Sequence, residues 1–69
     1  MAAPNLHHNL IQQISELMDS VWRYEKYYKE DASSCSDCQA LWEELQKRHS
    51  EDIEHLKSHL AVHLKAKDW

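Results

Sequence analysis

No glycine occurs anywhere in the chain's 69 residues, and Pro4 is its only proline. Tight β-hairpins need glycine where φ turns positive, so a sheet protein joined by short turns is nearly excluded. Alanine, leucine, glutamate, glutamine and lysine are plentiful, and all favour helix. The expected fold class is therefore all-α. A chain this short makes at most one domain. It also buries too little surface to be comfortably stable alone, so small scaffolds usually add a disulfide, a metal or a partner subunit.

The apolar pattern predicts two long helices. Leu6, Leu10, Ile14, Leu17, Val21, Tyr24 and Tyr28 recur at steps of three and four, a heptad seam. Asn5 offers an N-cap with Pro4 just outside it. The stretch KEDASSCSDC then breaks the seam. Ser36 and Gln39 have capping-box spacing, with Asp37 placing a negative charge in the first turn of the next helix. The second stripe runs through Cys38, Leu41/Trp42, Leu45, His49, Asp52/Ile53, Leu56, Leu60 and His63/Leu64. The boundaries expected are helix 1 at about 5–30, a turn at about 31–35 and helix 2 at about 36–66, all in one helical-hairpin domain, 1–69. A short turn makes the helices antiparallel neighbours. Pairing outward from the turn sets Tyr24 near Trp42, Leu17 near His49 and Leu10 near Leu56, with an aromatic cluster at the turn end.

Helix 1 carries a second apolar line, Ile11, Met18 and Trp22, at ~100–140° round the helix from Leu17. One neighbouring helix covers only one of these faces. The simplest cover for the other is a second copy, so the hairpin is expected to dimerise into a four-helix bundle with Ile11, Met18 and Trp22 at the interface.

The formal net charge is −4, with basic and acidic residues interspersed. No basic block marks a nucleic-acid footprint. No apolar run reaches the ~20 residues of a membrane span, and MAAPNLHHNL has neither the cationic nor the apolar region of a signal peptide. The expected compartment is the cytoplasm, with no nucleic-acid or membrane partner.

Four of the six histidines lie on helix 2. His55, His59 and His63 follow an i, i+4, i+8 rule that lets neighbouring rings face one cation, and imidazole suits iron and zinc. Asp52 and His55 make a carboxylate-x-x-His pair on the same helix. His7 and His8 come near His59 and His63 in the antiparallel pairing. A solvated face is the plainer account of these residues, because such spacings arise often by chance on charged helices. Residues 50–60, SEDIEHLKSHL, resemble the second helix of a ferritin- or rubrerythrin-like half, where an acid-x-x-His motif follows another acid. Residues 20–32, SVWRYEKYYKEDA, resemble the end of such a half's first helix. The resemblance implies a two-helix half that pairs into a bundle, with Asp52 and His55 as metal-binding acid and histidine. The chain has aspartate where that family has glutamate. Ser20 and Val21 stand where the first-helix glutamate would be.

Cys35 and Cys38 form a CxxC at the start of helix 2. A helix N-terminus stabilises a thiolate, so a redox switch is one reading. The pair at a hairpin tip also resembles a zinc hook, in which two tips share one tetrahedral zinc through four thiolates. Ser36 stands where that motif usually has proline. The structural alternative places Cys38 on the buried stripe as a small hydrophobe. No nucleophile–base–orienter set and no phosphate loop can be named. The expected function is thus a small non-enzymatic homodimeric interaction or structural module. The alternatives are an iron- or zinc-binding protein using Asp52, His55 and His59, and a thiol switch or zinc site at Cys35 and Cys38.

Overall fold

The computed structural model describes residues 3–66, a helical hairpin measuring 51 × 15 × 14 Å. The first arm, α1, runs as an α-helix over Ala3–Arg23, makes a π-helical turn at Tyr24–Tyr28 and closes with one α-turn, Lys29–Asp31. The second arm, α2, is a single helix over Ser36–Ala66. No strand occurs among the described residues, and none of their helices is long and apolar enough to cross a membrane.

α1 begins at Ala3, two residues before the expected start, with Pro4 inside the helix and not outside it. Proline is tolerated in a first turn because the N–H it lacks has no intrahelical partner there. Asn5 therefore lies within the helix instead of capping it. At the other end the turn is closed by backbone hydrogen bonds. Ala32 N–H donates to the Tyr28 carbonyl (3.1 Å), Ser33 to Glu30 (3.0 Å) and Cys35 to Ala32 (2.9 Å). Ala32, the C-cap, keeps a negative φ of −92°. The Gln39 amide reaches back across the turn and donates to the Lys29 carbonyl at 3.2 Å, satisfying one of the last carbonyls of α1.

The capping of α2 differs from the expectation. Cys35, not Ser36, is the N-cap. Its carbonyl accepts the first helical bond, from Gln39 N–H at 3.0 Å, and its Sγ accepts from Cys38 N–H at 3.4 Å. Ser36 is the first helical residue and Gln39 serves the turn. Cys38 is also exposed, not buried on the stripe. The end of α1 faces it across an open hollow lined by Tyr28, Asp31, Ala32 and Trp42, so the thiol reaches solvent.

The two stripes face each other as expected, through Leu10, Ile14, Leu17, Val21, Tyr24 and Tyr28 on α1 and Trp42, Leu45, His49, Ile53, Leu56, Leu60 and His63 on α2. All of these are half-buried. Leu6, Leu41, Asp52 and Leu64, also placed on the stripes by periodicity, are exposed.

Two expected pairings between the arms are seen, Tyr24 with Trp42 and His7 with His63. Tyr24 does stack on Trp42, at 5.4 Å between ring centroids, but it also meets His49 edge-on at 5.5 Å. The Tyr28–Trp42 and His7–His63 contacts are both centred on residue 35 in sequence. Both reach about one helical turn further down α2 than the Tyr24–Trp42 pair does. The reason is the direction of side chains. Each Cα–Cβ bond tilts toward the N-terminus of its own helix. Side chains on α1 therefore lean away from the apex, and those on α2 lean toward it. A contact thus joins an α1 residue to an α2 residue that starts further down the chain.

The π turn has a specific packing result. Its i→i+5 bonding is seen in Lys29 N–H donating to the Tyr24 carbonyl. It brings residues five apart onto neighbouring positions, and Trp22 and Tyr27 meet edge-on at 5.2 Å. In a regular α-helix they would diverge by ~140°.

Candidate functional site

Three groups of residues were singled out by the sequence, and they occupy three different parts of the hairpin.

At the apex, Cys35 and Cys38 are both free and exposed. Cys35 occupies the N-cap, where the positive end of the helix dipole favours a thiolate. The Cys38 thiol and the Cys38 N–H both donate to Cys35 Sγ, and the Asp37 N–H adds to them, which lowers the Cys35 pKa despite a small opposing desolvation. Cys38 is pushed the other way. Its thiol is held in its hydrogen bond to Cys35, and the charges of Cys35 and Asp37 oppose its ionisation. The two sulfurs are thus unlike, although the sequence presents them as a symmetric pair. Beside them lies an open hollow of about 330 Å³ lined by Tyr28, Asp31, Ala32 and Trp42 together with both cysteines.

Along the shaft, an open groove of about 610 Å³ runs between the arms. Ile11, Ile14, Met18 and Val21 line it from α1, and Ile53 and Leu60 from α2, with Ser50, Glu54 and Lys57 on its α2 rim. Ile11 and Met18, expected at an interface, are on this groove, 47% and 56% exposed. Trp22 is 51% exposed and does not line the groove. It meets Tyr27 edge-on closer to the apex. The α2 half of this surface was not singled out from the sequence. Ile53 and Leu60 were read only as part of the α1–α2 seam, yet at half-burial they serve both the seam and the groove. Gln46 was also missed: its Oε1 is buried without a hydrogen-bond partner.

The histidines divide. His49 donates from Nδ1 to the Leu45 carbonyl at 2.7 Å, since a carbonyl can only accept, and this fixes its tautomer. At the open end His7 is 1% exposed, the one fully buried residue among those described, and its ring meets His63 edge-on at 5.6 Å. His63 in turn lies 5.3 Å from His59. Asp52, His55 and His59 are exposed. At ~100° per residue they fall on the flank of α2 turned away from the groove. Among the described residues, no three His, Cys, Asp or Glu side chains come together in a way that could hold a metal ion. Asp52 and His55 therefore do not belong to a three-donor group within one hairpin.

No family model, no curated protein and no solved structure matches the chain. The ferritin-like resemblance accordingly stands on residues 20–32 and 50–60 alone.

Proposed function

We propose that the chain is a small non-enzymatic, homodimeric helical-bundle protein of the cytoplasm. Two hairpins associate side by side through the groove face, and the bundle serves as an interaction or structural module. The observation that carries this reading is that no hydrophobic residue is fully buried among those described, while Ile11, Met18 and Trp22 remain about half exposed.

The exposed area supports a second copy as the occupant. A compact monomer of this mass would expose about 4,500 Å². The hairpin exposes 5326 Å². The excess of roughly 800 Å² matches one partner's share of a standard protein interface. The radius of gyration, 15.5 Å, likewise exceeds the ~11 Å of a compact chain of this length. The groove is long, apolar and lined by both arms, as needed for helix-against-helix packing of two hairpins. The rim residues Glu54 and Lys57 are paired with each other at 3.1 Å and carry opposite charges, so a two-fold related copy meets no like-charge barrier there.

Sedimentation equilibrium at micromolar concentration tests the proposal. The expected mass is twice 8.2 kDa, with helix content that falls on dilution as the dimer dissociates. A helical species of 8.2 kDa that is stable across the concentration range would overturn it.

A further inference from the structure

We propose that Cys35 and Cys38 form a dithiol–disulfide exchange site at the apex, with Cys35 as the attacking sulfur, Cys38 as the resolving sulfur, and a small neutral or cationic organic disulfide as the oxidant. The inference is independent of dimerisation, because the site lies beyond the end of α1 and away from the groove residues.

The geometry supplies each part. Cys35 Sγ is 3.4 Å from the Cys38 amide nitrogen and accepts its hydrogen bond. N-cap and third helical position lie one turn apart, within the span a disulfide bridges without rearranging the backbone. Both thiols are exposed, so an external disulfide can reach them. The hollow beside them has Tyr28 and Trp42 as an aromatic wall, large enough for a small organic group and open to solvent. Asp31 lines that hollow and Asp37 sits between the cysteines, so an anionic disulfide is disfavoured there.

The exchange runs in two steps. The Cys35 thiolate attacks one sulfur of R–S–S–R. The S–S bond breaks, RS⁻ leaves and takes a proton from water, and Cys35–S–S–R remains. Cys38 then gives its proton to water and attacks Cys35 Sγ, expelling the second RS⁻. The two protein thiols are oxidised to one disulfide and the external disulfide is reduced to two thiols. Cys35 holds the larger thiolate fraction, the requirement for attack. A tenfold larger thiolate fraction gives about threefold faster attack, once the weaker nucleophilicity of the less basic sulfur is counted.

The full-length reduced chain is mixed with cystamine near neutral pH and followed by intact mass. The wild type is expected to become lighter by two hydrogens and to retain no adduct. Cys38→Ser keeps a side-chain donor for Cys35 and is expected to stop with one cysteamine on residue 35. Cys35→Ser keeps an N-cap oxygen and is expected to add cysteamine to Cys38 more slowly than Cys38→Ser adds it to Cys35. Circular dichroism checks that both variants remain as helical as the wild type, and the wild-type product stands as a test whether or not they do. A wild type that keeps its cysteamine adducts overturns the resolving step. Equal rates in the two variants, or a faster Cys35→Ser, overturn the assignment of Cys35 as attacker.

Discussion

At the apex, Tyr24, Tyr28 and Trp42 close on one another with ring centroids 5.0 to 5.7 Å apart. Halfway down the shaft the same two helices hold Ile11 and Met18 half exposed beside an open groove. Both regions are built from the same heptad seam, and they differ in the size of the side chains. Three large rings fill the space between two helices and bury area on both sides of the seam. Leucine and isoleucine fill only the seam itself, and the flank beside it stays open. A two-helix hairpin thus closes more tightly where aromatics are available, though even there the rings remain half-buried.

The largest expected effect tests the open half of that contrast. Met18→Glu places a charge in the centre of the groove face and is expected to abolish self-association, leaving a sedimenting mass of 8.2 kDa in place of twice that value. An unchanged dimer would show that association uses another face. Trp42→Ala tests the closed half. It is expected to cost about 3 kcal/mol in urea unfolding at fixed concentration, the low end of the range for large aromatics because Trp42 is only half-buried. A loss of the dimer from this change alone would merge the two regions into one. Gln46→Met removes a buried oxygen without a partner and is expected to raise stability by about 1 kcal/mol, read as a higher urea midpoint. The smallest effect belongs to the surface. Breaking the Arg48–Glu44 pair, 2.7 Å long and solvent-exposed, with Glu44→Gln is expected to change stability by less than about 0.5 kcal/mol.

Much of the architecture was legible in the sequence because it rests on local rules. The lack of glycine, the seam from Leu10 to Tyr28 and the polar break before Cys38 specify two helices and a turn, and the helices observed meet that description. The apex contact between Tyr24 and Trp42 and the approach of His7 to His63 at the open end were both readable by counting residues outward from the turn. The departures have physical causes that lie outside periodicity. Cys35 takes the N-cap because the turn ends one residue earlier than a Ser36 cap requires, and sulfur is accepted there as an acceptor for the Cys38 N–H. Cys38 keeps the angular position of a buried residue but borders an open hollow shared with Tyr28 and Asp31. A helical wheel carries no information about how closely the neighbouring helix approaches. The candidate metal residues illustrate the same limit. Asp52, His55 and His59 share one helix face in the sequence, but a metal site needs donors converging from facing elements, and that depends on which flank the second arm occupies.

The π turn at Tyr24–Tyr28 divides α1 into two stretches with different phase. A helix wound against α1 can follow a continuous seven-residue rhythm from Leu10 to Val21. At Tyr24 the rhythm slips by part of a turn, as it does at an insertion in a coiled coil. α2, one uninterrupted helix, nonetheless meets both stretches, since Tyr24 and Tyr28 of the π turn both close on Trp42. The slip in phase is taken up by the large rings, which reach the partner helix from either side of it.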